Sequence, residues 1–477
     1  MTAPVPTPVA SGPTGPLPRG AVSEPHRLAT GLSADQLALL LGEYDNMLSC
    51  IRCGQCLTSC PTYVLSMHEA EGPRGRIALA RALVEGHLAL TDDLVEHEQN
   101  CLVCDACTAV CPAGVHMDPL QVALRSAIEP ARRRSPWVRA LRHVVFRRLF
   151  PDMRAFRLLV RLLWLYQRSG LQWLARRSGA LRLLGLHQSE AFLPAISASF
   201  LIPDGAVHAA VVETQQSALQ PESTPPSTLP TFTPSTVSFF AGCVMSTALA
   251  DTDRATIRVL QRSGCDVVMV NAQGCCGALN AHGGDLPMSL ELAKRTIAAF
   301  EQDGHGGTTP VIVNSAGCGA MLKDYAHHLR DDPEWASRAA AFSQRVQDVT
   351  QFLAGRPLPM RRSLDVRVAY QEPCHLAHAQ RIRQQPRQLL QSIPGVQLLE
   401  MEESTLCCGS AGIYNVTNPK ESAQLQQRKL ASALATGAEV VATANPGCLL
   451  QLQSGARAQG SNLQIKHIVE LLDEATA

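Results

Sequence analysis

The strongest constraint on this chain is one stretch that occurs twice. Cys50-Ile-Arg-Cys53-Gly-Gln-Cys56-Leu-Thr-Ser-Cys60-Pro61 is followed by Cys101-Leu-Val-Cys104-Asp-Ala-Cys107-Thr-Ala-Val-Cys111-Pro112. Each copy reads C-x2-C-x2-C-x3-C-P, the run that holds [4Fe–4S] clusters. Three thiolates spaced by two residues close on one cluster, and the fourth is carried to the other cluster. The spacing therefore assigns Cys50, Cys53, Cys56 and Cys111 to a first [4Fe–4S] cluster. Cys101, Cys104, Cys107 and Cys60 are assigned to a second. The alternative is a pair of structural zinc sites, which C-x2-C pairs also make.

The chain has 477 residues and a formal net charge of +1. That balance argues against a nucleic-acid partner. Met1 to Gly20 has no basic stretch leading into an apolar core, so no export signal is expected. In a non-exported chain, seventeen cysteines read as metal ligands rather than disulfides. No run of ~18 apolar, uncharged residues is present, so any membrane contact is peripheral.

Residues 1–30, rich in Pro, Thr and Gly, read as a disordered tail. Ser33 to Leu48 reads as a helix with Ser33 as N-cap. The long spacer between the two cysteine runs carries Gly72-Pro-Arg-Gly75 and then helical spacing at Ile77, Leu79, Ala80, Leu83 and Val84. Residues 31–130 are thus expected to form a helical, ferredoxin-like di-cluster domain. Arg74 and Arg76 are placed either to offset cluster charge or on an ordinary solvated turn. Between Arg132 and Arg182 fourteen arginines face one acid, Asp152. Residues 131–186 read as basic amphipathic helices that lie on anionic lipid, on a partner or on the protein itself. Residues 187–236, with the run Gln220 to Pro230, read as a linker.

Residues 237–355 and 356–477 read as two copies of one cysteine-rich α/β domain. Strands are expected at Val237–Phe240, Val267–Val270 and Val311–Val313, and again at Val366–Tyr370, Val396–Leu399 and Val440–Val441. Cysteines follow each strand, and the matching ones lie 131 (243 to 374), 132 (275 to 407) and 130 (318 to 448) residues apart. Alternating strands and helices imply a parallel sheet with ligands at its carboxyl edge. Cys243, Cys275, Cys276 and Cys318 are therefore one candidate site. Cys374, Cys407, Cys408 and Cys448 are another. Cys265 is left over and reads as buried and inert. The overall fold class is α+β and multidomain. Gly277 and Gly409 supply the tight turn that each Cys-Cys pair needs. His375 and His378 read as structural histidines or as groups supporting the second site, with Ser410, Tyr414 and Asn445 nearby.

Together these features resemble the iron–sulfur subunits of glycolate oxidase (glycolate dehydrogenase). The matching residues are Glu372-Pro-Cys-His-Leu-Ala-His-Ala-Gln380, Leu406-Cys-Cys-Gly-Ser-Ala-Gly-Ile-Tyr414, Ala444-Asn-Pro-Gly-Cys448 and Pro73-Arg-Gly-Arg76. The Cys-Cys-Gly repeat alone is also similar to heterodisulfide reductase, lactate-utilisation proteins and anaerobic glycerol-3-phosphate dehydrogenase. Ser315, Met321, Asn445 and Gln451 stand where the heterodisulfide reductase pattern has a further cysteine. Four thiolates per repeat leave a further iron–sulfur cluster, a zinc ion or neither. The chain has no G-x-G-x-x-G or P-loop, and clusters do not accept hydride. The resemblance implies FAD in partner subunits, with this subunit passing electrons from flavin to a quinone or other acceptor. It implies a cytoplasmic location at the inner face of the cell membrane. The alternatives are a subunit of a lactate or glycerol-3-phosphate dehydrogenase, or a thiol/disulfide electron carrier.

Overall fold

The computed structural model describes residues 30–183, 190–211 and 235–477. The tail up to residue 29 and the Gln220–Pro230 run lie outside these residues.

Near the N-terminus, helices Ala34–Leu41, Tyr44–Leu48, Pro73–Val84, Asp92–Gln99 and Met117–Ile128 enclose a core of Leu37, Leu40, Met47, Ile77, Leu83, Leu120 and Leu124. Ser33 caps the first helix reciprocally with Gln36: its hydroxyl accepts from the Gln36 amide, and the Gln36 side chain accepts from the Ser33 amide at 2.7 Å. The single helix expected over Ser33–Leu48 is broken at Gly42 and Glu43. Tertiary contacts account for the break. Arg330 donates to the Gly42 carbonyl, and Glu43 pairs with His327 at 2.9 Å and Arg330 at 3.0 Å.

Two sheets follow. The first has the order β1-β3-β2-β4-β5, from Val207–His208 (β1), Ser235–Phe240 (β2), Cys265–Val268 (β3), Val311–Val313 (β4) and Val346–Asp348 (β5). The second has the order β7-β6-β8-β9, from Arg367–Tyr370 (β6), Gln397–Leu399 (β7), Val440–Thr443 (β8) and Gln464–His467 (β9). All neighbours are parallel except β1, which runs antiparallel to β3. β3 ends two residues earlier than the Val267–Val270 run suggests. Met269 instead exchanges backbone bonds with Gly205 and Ala206 just past the strand.

The linker expected over 187–236 is corrected in its described part. Residues 190–211 pack along the first unit: Ser197 N–H bonds Ala248 O at 3.1 Å, and β1 closes an open sheet edge. Backbone pairing at that edge needs no apolar periodicity.

The final strand of each copy stays in its own sheet, and the helix after it reaches across to the other copy. Val349–Ala354, capped by Asp348, packs on Gln384–Gln391, and Ile468–Thr476, capped by His467, packs on Ala250–Arg262. Leu353, Leu389, Leu260 and Leu472 consequently share one apolar core.

Candidate iron–sulfur and cysteine-rich sites

All seventeen cysteines are free thiols. The two N-terminal runs fold alike. Left-handed backbone occurs at Arg52 (φ 58°) and Gly54 (φ 83°), and at the equivalent Val103 (φ 49°) and Asp105 (φ 58°). For the three non-glycine residues this conformation costs on the order of 1 kcal/mol each. It turns successive thiols to one side. Cys50, Cys53, Cys56 and Cys111 line one cavity of about 410 Å³, and Cys107 also reaches it. Cys60, Cys101, Cys104 and Cys107 line a second, of about 340 Å³. Pro61 begins a helix directly after Cys60, which carries that thiol away from its own run.

The electrostatics suit a cationic core held by thiolates. Burial pushes the Cys56 thiol up to about 11 and raises Cys101, Cys104 and Cys107. Without iron these thiols stay protonated; coordination to a metal deprotonates them outright. Arg76 is 1 % exposed, not on a solvated turn. It donates to His97 O at 2.9 Å and Thr62 Oγ1 at 3.1 Å, and pairs with Glu71 at 2.6 Å. Arg74 is half-buried in the wall of the first cavity and bonds Arg52 O at 3.2 Å. A second buried cation, Arg125, escaped sequence reasoning. It donates to Cys101 O and, at 2.9 Å, to His282 O, tying the second run to the first cysteine-rich unit. The only trace of it in the sequence is a polar stripe, Asp118, Gln121 and Arg125, at helical spacing on the otherwise apolar Met117–Ile128 helix.

In the sheets, the cysteines gather at the carboxyl ends of the strands. Cys243, Cys275, Cys276 and Cys318 form one string of neighbouring thiols that perturb one another's proton affinity. Cys374, Cys407, Cys408 and Cys448 form the equivalent string. Among the described residues no three Cys, His, Asp or Glu side chains are preset to hold a single metal ion. Gly277 (φ 84°) and Gly409 (φ 85°) make the turn after each pair. A Cβ at Gly409 would meet Ser422 O at 2.6 Å, and one at Gly277 would meet Ser289 Oγ at 2.8 Å. Ser289 and Ser422 each latch the glycine carbonyl, at 3.1 and 2.8 Å.

The sites are not isolated. Cys104 shares a buried cluster with Cys374 and Cys407, so the second run abuts the C-terminal cysteine-rich site. The N-terminal cysteine-rich site instead lies under the basic segment, where Cys243 and Cys275 pack with Phe146, Phe150 and Phe156. Asn445 spans the two units, accepting from Gly317 N–H at 3.0 Å and donating to Cys448 Sγ at 3.6 Å. At the junction of all three units, His282 meets Asp118 at 3.4 Å and stacks on His375 at 5.6 Å. His375 Nδ1 lies 3.6 Å from Cys374 Sγ. Burial alone would raise Asp118, but His282 holds it down at about 2. Burial, then His282, holds His375 at about 4. His378 bonds Thr405 O at 3.1 Å and meets Arg383 at 3.2 Å. Cys265 is fully buried, as expected.

Comparison with known proteins follows the same layout. Residues 49–115 match the 4Fe-4S dicluster domain, 137–193 the linker region of glycolate oxidase iron–sulfur subunits, and 237–323 and 368–453 the cysteine-rich domain. The fold and site thus define an iron–sulfur protein with a dicluster domain and two cysteine-rich domains. A probable glycolate oxidase iron–sulfur subunit of Bacillus subtilis (strain 168) is 40% identical over 443 residues, covering 90% of this chain and 94% of the relative. That of Escherichia coli (strain K12) is 32% identical over 436 residues, covering 91% and 95%. The chain belongs to the family of glycolate oxidase iron–sulfur subunits. Lactate utilization protein A of Oceanobacillus iheyensis is 30% identical, over 50% of this chain and 96% of its own length. No helix among the described residues is long and apolar enough to cross a membrane.

Proposed function

We propose that this chain is the electron-transfer subunit of a glycolate oxidase complex, carrying electrons from FAD in partner subunits toward a quinone or other acceptor. The observation that carries this reading is the pair of cavities of similar size, each lined by three cysteines of one run and the fourth of the other. Such crossed lining suits two [4Fe–4S] clusters better than two zinc ions, because a zinc ion needs four ligands drawn close around one atom. Cys50, Cys53, Cys56 and Cys111 hold the first cluster; Cys101, Cys104, Cys107 and Cys60 hold the second. When bound, the clusters supply one-electron transfer. The chain's own contribution is to exclude water, to place Arg76 and Arg125 beside the second run, and to bring Cys104 against the C-terminal cysteine-rich site. The four thiols of that site and of its N-terminal counterpart are left as a place for a further iron–sulfur cluster, for zinc or for neither. Substrate oxidation takes place on a partner, and the Arg132–Arg182 segment contacts anionic lipid at the inner face of the cell membrane. The lactate alternative is less supported, since the lactate utilization relative matches half of this chain.

Low-temperature EPR of the anaerobically purified, dithionite-reduced protein tests the reading. Two interacting [4Fe–4S]+ signals are expected. An EPR-silent protein containing zinc would reduce the chain to a structural module.

A further inference from the structure

Between the Met153–Arg168 helix and the loop at 271–275 runs an open cleft of about 1330 Å³ that none of the sites above uses. Its surface is of two kinds. Met153, Ile202 and Leu292 are apolar, whereas Arg154, Arg157 and Arg295 bring guanidinium groups. Arg295 is paired with Glu291 at 3.0 Å. Among the described residues, Arg154 and Arg157 have no carboxylate partner. The nearby acid, Asp152, is used as the helix cap, accepting from the Arg154 amide at 2.8 Å. Arg157 Nε is buried without a hydrogen-bond partner. Burial, then the charge of Arg154, lowers its affinity for the proton it carries. Arg154 and Arg157 therefore bring two positive charges without carboxylate partners to the cleft, which favours a ligand that accepts hydrogen bonds and gains negative charge.

Two neighbours narrow the ligand. Cys275, from the N-terminal cysteine-rich site, forms part of the wall. On the same helix as Arg154 and Arg157, Leu158, Leu162 and Leu165 are exposed. A small hydrophilic anion would account for the arginines but not for the apolar walls or the exposed leucines.

We infer that this cleft receives the ring of a quinone, with a ring carbonyl oxygen accepting from Arg157 while Arg154 stabilises the negative charge the ring gains on reduction. The inference rests on the electron-carrier reading above. Glycolate oxidation would give its hydride equivalent to the partner's flavin and a proton to solvent; the reduced flavin would release its two electrons singly through the clusters to the ring, which takes two protons from solvent and leaves as the quinol. The exposed leucines give a lipid-soluble ligand an apolar approach.

The test uses the purified complex containing the full chain. A photoreactive azidoquinone should label residues 151–157 or 271–275. Decylubiquinone binding, followed by quenching of tryptophan fluorescence, should weaken about tenfold in Arg154→Gln/Arg157→Gln, as for loss of a charge-assisted hydrogen bond. Arg157→Lys, which keeps the charge, should recover part of the affinity. Label confined to other segments, or wild-type affinity in a double variant of unchanged melting temperature, overturns the proposal. If the double variant does not fold, the wild-type labelling map decides. Glycolate-driven reduction of a soluble dye by the wild-type complex tests the electron-carrier reading separately.

Discussion

At the scale of single residues, the chain concentrates its compensations around the second cysteine run. Glu98 is fully buried between Arg76 and Arg125, with Oε2 accepting from Gln121 at 2.8 Å and Oε1 unpartnered. Burial outweighs both arginines and pushes its carboxyl up to about 7. The folded state therefore holds this proton more tightly than the unfolded chain does. The contribution to stability is full below about pH 4.5 and is lost as pH rises through about 7, by up to about 3 kcal/mol. Glu98→Gln should abolish that slope, so its melting temperature should gain on wild type between pH 5 and pH 8; parallel curves would show that Glu98 is ionised throughout. The crossed cysteines make a second prediction at this scale. Cys60→Ser should damage the cluster held by Cys101, Cys104 and Cys107 and leave the signal lost in Cys53→Ser intact. If both substitutions remove the same EPR signal, the crossing is wrong.

Elements show how much of the fold was legible. The strands β2, β4, β6, β7 and β8 could be read because they are short, largely apolar runs with a cysteine three to eight residues beyond each. β5 and β9 could not: Val346-Gln-Asp348 and Gln464-Ile-Lys-His467 alternate polar residues, and their helices bury their faces on the other copy. Spacing predicts the crossing of the cysteine runs, whereas Arg125 was not legible, since a long-range bond to Cys101 leaves no local pattern. The basic segment was readable as amphipathic, but not which face meets solvent. In the structure, twelve of the twenty-one large apolar side chains exposed among the described residues lie between Trp137 and Leu183. Trp137 is 86 % exposed, and Leu141 and Val144 follow it at helical spacing. Beside them Arg132, Arg133 and Arg139 line an open basic groove. This pairing suits an anionic bilayer, into which apolar side chains insert while arginines meet phosphates. Trp137→Ser/Leu141→Ser should weaken co-sedimentation with anionic vesicles by roughly a hundredfold or more, as for loss of most of two apolar side chains' burial, and salt should release the wild type. Equal, salt-insensitive binding to neutral vesicles would rule out an electrostatic role for the arginines.

Across the whole molecule, the second cysteine run and the C-terminal cysteine-rich site form one buried neighbourhood through Cys104, Cys374 and Cys407. Cys407→Ser/Cys408→Ser should lower iron content and suppress glycolate-driven quinone reduction while the two N-terminal EPR signals persist. Unchanged metal content and unchanged turnover would make this site a scaffold. The exchange of terminal helices between the copies also orders events in time. Leu471, Leu472 and Ala475 complete the core begun by Ala255, Val259 and Leu260, and Asp473 pairs with Arg258 and Arg262 across the same seam. The core of the first copy thus stays uncovered on one flank until the Ile468–Thr476 helix has been made. Until then Cys243, Cys275, Cys276 and Cys318 belong to an unfinished domain. The interval between their synthesis and that of the Ile468–Thr476 helix is the period in which these thiols are most exposed, and a chain cut short before Ile468 would leave them so.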